Sequence, residues 1–148
     1  MFPQIKISES PESCESVVIA VKPPAAVDAC VAVVAAGAHR ILSIVAGISI
    51  TTLQRACGDS VAVIRAMPNT PALVGKGASA ISFSKRCLET NIQWAEKVLG
   101  SVGTVVRVDE SQMDAVTAIS GSGPAYVFLL AETLIAEAVS QGDRKSVV

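Results

Sequence analysis

Few side chains in this sequence are of the types that do covalent chemistry, and their spacing removes most of what they could do. Cysteines stand at 14, 30, 57 and 87, with no C-x-x-C pairing and a single histidine, His39, to join them. No metal centre or redox motif is expected from such spacing. The thiols read as small buried or half-buried groups in a reducing, intracellular compartment. Lys22 is the one cation in a motif turn, and a solvated or phosphate-facing role suits it better than a catalytic one. Tyr126 falls within a helical run and reads as core, and Arg65, at a strand end, as structural. No acid, base or nucleophile is assigned.

The backbone offers more than the side chains. Gly75 and Gly77 in GKGASA fit G-x-G-x-x-A, but a proline-rich stretch precedes them and a strand-like run follows. A dinucleotide loop works by aiming a helix N-terminus at the pyrophosphate, and no helix starts there. The pair is a decoy. Three apolar runs instead end in small residues or proline, as AVKP (20–23), VAG (45–47) and RAMPNTP (65–71). In an open α/β sheet, ligands lie beyond the carboxyl ends of the strands. Each ending alone is an ordinary tight turn; three at successive strand ends suggest a cofactor edge. SGSGPAYVF (120–128) is a fourth candidate, because two glycines and two serines free the backbone to gather N–H groups and Pro124 suits a first helical turn. Anion seat and plain interhelical connector remain equally open for it.

The elements needed to position these segments follow from the apolar periodicity. Residues 17–21, the RILSIVAG run, the run from Val61, ASAISF and TVVRV read as strands. Helices are expected over 24–36, ended by Gly37, from a Ser49 cap through Cys57 with Gly58 beyond, and over 88–99. MPNTPALVGKG reads as a loop. After Asp109 a helix in SQMDAVTAI, a break at SGSGP and a long helix to Gly142 are expected, the last too apolar around its girth to stand alone. The fold class is therefore α/β, a partial Rossmann-type nucleotide-binding domain followed by the start of an all-helical domain. Its parts are an irregular lead-in over 1–16, the nucleotide-binding part over 17–108 and the helical part over 109–148.

Composition agrees with that class. The 148 residues are 51% hydrophobic but only 3% aromatic, so Ala, Val, Ile and Leu must fill the interior, as in parallel sheets covered by helices. A net charge of -1 gives no electrostatic footprint for nucleic acid or anionic lipid. No run reaches the roughly 18 to 20 uninterrupted apolar residues of a bilayer span, since Asp28, Glu132 and Glu137 interrupt the best candidates. The N-terminus shows no targeting pattern.

Taken in order, VVIAVKP, SIVAGIS, IRAMPNTPALVGKGA and DAVTAISGSGPAYVF resemble pyrroline-5-carboxylate reductase, from about Val17 to Gly142. The resemblance implies a cytoplasmic NADP- or NAD-dependent oxidoreductase of proline biosynthesis. Its reaction would be hydride transfer to the C=N bond of 1-pyrroline-5-carboxylate, and its helical domain would interlock with a second subunit in a homo-oligomer. Carried over by motif, Ala20, Val21, Lys22 and Pro23 line the cofactor, Ile44, Val45 and Ala46 approach the nicotinamide side, and Asn69 sits in the matching MPNTP loop. Ser120, Gly121, Ser122 and Gly123 fall near the substrate. Hydride transfer to an imine is a matter of positioning and electrostatics, which fits the absence of an assigned acid or base. The family's Gly-rich phosphate loop and its Gly-Thr-Thr segment have no counterpart here, so the chain reads as a fragment truncated at both ends, inactive or impaired. A noncatalytic association module and another Rossmann reductase of the hydroxyacid dehydrogenase type are the alternatives, and SGSGPAYVF speaks against the second.

Overall fold

The apolar runs become β1 (Ser16–Ile19), β2 (Arg40–Ser43), β3 (Ala62–Met67), β4 (Gly77–Phe83) and β5 (Gly103–Arg107), which lie in chain order in one sheet. The computed structural model describes residues 7–143. Residues 1–6 of the expected lead-in and 144–148 of the tail lie outside the described residues.

β1, β2 and β3 are parallel, with Val17 opposite Ile41 and Ile41 opposite Val63. The crossovers between them carry α1 (Ala26–Ala35) and α2 (Ile50–Cys57). Pro23 opens the short 3-10 turn before α1, and Gly37, at φ +105, closes the turn after it. α2 starts where Ser49 Oγ accepts from the Thr52 N–H at 3.1 Å and stops at Gly58, at φ +82. The period-2 alternation of the central strands then feeds two cores. Ile41 and Val63 pack with Cys30, Leu53 and Cys57 under α1 and α2, while Leu42, Ile64 and Ile81 pack with Ile92, Ala95 and Leu99 of α3 (Glu89–Gly100).

β4 departs from an all-parallel arrangement: it runs antiparallel to β3, with Ala66 opposite Ile81, and β5 then runs parallel to β4. The connection from β3 to β4 explains this. It holds no more than a 3-10 turn at Thr70–Val74, too little for a crossover back to the strands' starting edge. Because β4 points the other way, a crossover of the usual hand places α3 on the face opposite α1 and α2.

Beyond β5 only helix follows among the described residues. A 3-10 turn (Glu110–Gln112), α4 (Met113–Val116), a π-helical turn (Thr117–Gly121) and α5 (Gly123–Ser140) run on as one helix. The break expected at SGSGP is not there. Glycine and serine were read as stopping the helix, but the chain widens by a π turn instead, and side chains take up backbone carbonyls in and around it. Thr117 Oγ1 donates to the Met113 carbonyl at 2.8 Å, Ser122 Oγ to the Thr117 carbonyl at 3.0 Å and Tyr126 Oη to the Ala118 carbonyl at 3.0 Å. By length and composition this run is apolar enough to cross a bilayer even with Glu132 and Glu137 in it, against the expectation that those charges exclude a span. α5 buries none of its residues within the chain. Tyr126, expected in the core, is 57% exposed, because nothing among the described residues packs on that side.

Candidate cofactor edge and its ties to the C-terminal helix

Three parallel strands must end on the same side of the sheet, so Ala20–Pro23, Ile44–Gly47 and the residues after Met67 form one edge. Ala20, Val21, Lys22 and Pro23 are all exposed there. The Lys22 carbonyl accepts from the Ala25 N–H at 3.0 Å, which folds the turn toward α1. The second turn is held to the first by the Ile44 N–H, which donates to the Ile19 carbonyl at 3.0 Å. Its three candidate residues divide. Ile44 packs part-buried against the α3 core, Val45 is 3% exposed, and Ala46 is open to solvent. Ala46 and its neighbour Gly47 are therefore the surface a ligand could reach, while Val45 has its side chain in the core under α2. Gly47 sits at φ +76 with open space where a side chain would be, so the turn's backbone conformation, and not a close neighbour, calls for glycine.

Asn69 is spent on structure. Its Oδ1 accepts from the Ala78 N–H at 2.8 Å and its Nδ2 donates to the Ser120 carbonyl at 3.4 Å, so one side chain ties the end of β3 to the start of β4 and to the π turn. Gly121 lies against the same strand end, where a Cβ would come within 2.5 Å of Met67 Cε. The structure thus joins MPNTP to SGSG, with Ser120, Gly121, Ser122 and Gly123 half-buried. It does not give them the N–H-rich concavity expected of a helix start. The Ser122 N–H donates to the Thr117 carbonyl and the Ala125 N–H to the Ser122 carbonyl, both at 2.9 Å, so these amides are used by the continuing helix. Gly75 and Gly77 end a 3-10 turn and begin β4, and no helix opens there.

Two constellations escaped the sequence. Glu110 reaches back from the first turn of the C-terminal helix, accepting from the Ile50 N–H at 2.6 Å and pairing with the buried Arg65 at 3.3 Å. These partners are 60 and 45 residues away along the chain, and no local spacing announces them. Cys30 and Cys57, one from each packed helix, come together inside one core. Their contact, together with burial, pushes the Cys57 thiol up. Cys87 is raised mainly by burial, its Sγ donating to the Val63 carbonyl at 3.3 Å. Among the described residues, no group of three or more His, Cys, Asp or Glu is placed to hold a metal.

Comparison with known proteins bears on this edge and on the helix behind it. Residues 110–147 match the family described as pyrroline-5-carboxylate reductase dimerisation. A pyrroline-5-carboxylate reductase of Synechocystis is 44% identical over 137 residues, 88% of this chain and 51% of that protein. One from Mycobacterium tuberculosis is 39% identical over 91% of this chain and 48% of its own length. The crystal structure of Plasmodium falciparum pyrroline carboxylate reductase with NADP bound superposes with a TM-score of 0.83 at 33% identity, over 90% of this chain and 52% of that one. Prephenate dehydrogenase from Aquifex aeolicus, at a TM-score of 0.61 and 15% identity, shares the fold alone. The chain spans about half the length of the curated relatives it matches.

Proposed function

Because the chain belongs to the pyrroline-5-carboxylate reductase family, we propose that it forms the later part of the nucleotide-binding domain (17–108) and the start of the helical dimerisation domain (109–148) of an enzyme that reduces 1-pyrroline-5-carboxylate to L-proline with NADPH or NADH. The observation that carries this reading is the fastening of the helical SGSG segment over the end of β3 by Asn69 and Met67, beside two further parallel strand ends. A bound nicotinamide supplies the hydride. Ala20–Pro23 and Ala46–Gly47 form the wall it lies along, with Ala46 and Gly47 open to a flat ring and exposed Lys22 suited to a phosphate. Asn69 is a positioning residue, holding Ser120–Gly123 near the substrate. The exposed apolar sides of α5 favour a second copy as partner, in the cytoplasm.

A chimaera tests this directly. When the matching stretch of the Synechocystis relative is replaced by this chain's sequence, the hybrid should oxidise NADPH or NADH only with pyrroline-5-carboxylate present, forming proline. A folded hybrid that binds the nicotinamide cofactor and does not reduce the imine would overturn the reading.

A further inference from the structure

Three of the five arginines among the described residues are committed within the fold. Arg40 donates to Ser16 Oγ and lies over the Trp94 ring, Arg65 pairs with Glu110, and Arg107 with Glu89 and Glu96. The other two, Arg55 and Arg86, make no hydrogen bond or ion pair among the described residues, and both line one groove beside α2 together with the equally unpaired Lys85. The groove has a volume of about 530 Å³, inside the range of roughly 300–1,000 Å³ typical of small-molecule sites. Of its two carboxylates, Glu110 is taken by Arg65 and the Ile50 N–H, which leaves Asp59 against three cations. Such an imbalance over low-dielectric walls concentrates anions.

Two apolar side chains, Ile50 and Phe83, stand among the polar lining. Ile50 is buried and Phe83 38% exposed. Gln54 is pinned by Nε2 bonds to the Gly58 and Val61 carbonyls, at 2.6 and 3.0 Å. The cationic end is set apart from the cofactor edge, because β4 runs antiparallel and the Ser84 N–H meets the Val63 carbonyl near the start of β3.

We propose that this groove binds a small organic anion, a phosphate or carboxylate carried on a flat apolar body. The acid group meets Arg55, Lys85 and Arg86, and the body lies against Phe83 and Ile50. Neither the reductase reading nor the cofactor edge is needed for it.

Phenyl phosphate, benzoate and inorganic phosphate, titrated separately into ¹⁵N-labelled chain, test the site. Saturable amide shifts confined to 50–59 and 83–87 are expected with either aromatic acid, and the stronger of the two identifies the acid group. K85A/R86A should weaken binding at least about tenfold, the loss of one charge-assisted contact or more. R55A should do likewise, and F83A should weaken the aromatic acids while leaving inorganic phosphate unchanged. Shifts at the strand-end turns instead, affinity indifferent to K85A/R86A and R55A in folded variants, or a groove closed by self-association at every concentration tested would each overturn the proposal.

Discussion

Replacing Glu110 by alanine should destabilise the chain more than an ordinary surface substitution. Arg65 has a side chain only 8% exposed, and its remaining partner, Asp114, lies at 3.7 Å with its own side chain 98% exposed. Breaking a buried pair by removing one partner costs about 3–5 kcal/mol when the surviving charge is fully sequestered. Glu110 is one-third exposed, so water can enter the space it leaves, and about 2 kcal/mol is the reasonable share. The Ile50 N–H loses its acceptor as well, worth about 1 kcal/mol. A total of about 3 kcal/mol corresponds to a fall in Tm of roughly 10 °C for a folded unit of this size. Thermal and urea unfolding of E110A, E110Q and R65M/E110A separate the contributions. E110Q, which can still accept from Ile50, should fall between wild type and E110A. The double variant should recover part of the loss, because the uncompensated charge is gone. A cost for E110A below about 0.5 kcal/mol, or a double variant no more stable than E110A, would refute the argument.

The outward side of α5, where Val127, Leu130 and Leu134 are each at least 60% exposed, should drive self-association. Covering even 400 Å² of apolar surface is worth on the order of 10 kcal/mol before association costs, so L130E/L134E should convert an oligomer seen by light scattering to monomer, and a wild-type chain that elutes as a sharp monomer and unfolds cooperatively would contradict this. Arg107, through its hydrogen bonds, holds Glu89 and Glu96 below the usual carboxylate range. Their folded pKa values lie under the unfolded ones, so the small stabilisation they give is present above about pH 4.3 and is lost as pH falls through the folded values. The difference in Tm between wild type and R107A should therefore shrink on acidification; a difference that grows would show the sign to be wrong. G103A should cost about 2 kcal/mol or more, because the added methyl would run into the Gly77 backbone where β5 meets β4, and a neutral result in chemical denaturation would mean that the two strands part easily.

Strand and helix positions were legible because the central strands are apolar on both faces and the helix ends carry their own signals, Ser49 and Gly58 for α2 and Gly37 for α1. Strand direction was not. ASAISF looks the same read toward either end of the sheet, and the length of the connection before it had to be weighed to learn that β4 is reversed. The candidate edge was legible as three endings, yet which atoms face outward depends on the turn, and Val45 went inward while Ala46 stayed open. Glu110, Arg65 and Ile50 meet only through tertiary folding, as do Cys30 and Cys57, so patterns within a window could not find them. The helix through SGSG misled for another reason. Gly121 lies under the end of the Met67 side chain within the continuing helix, and its presence says nothing about stopping one.

The π turn at Thr117–Gly121 also sets the angular phase of all that follows it. An α-helix turns about 100° per residue, and a π turn absorbs roughly one extra residue without passing that rotation on. Positions in α5 consequently face as though each were numbered one lower relative to Met113, the buried anchor of the run. A chain shortened by Ile119, which is exposed and packs on nothing in the core, should close the wide turn into regular helix and leave the outer side of α5 pointing as before. Losing a second residue there would swing that side through about 100°, turning whatever it meets away from the sheet that carries it.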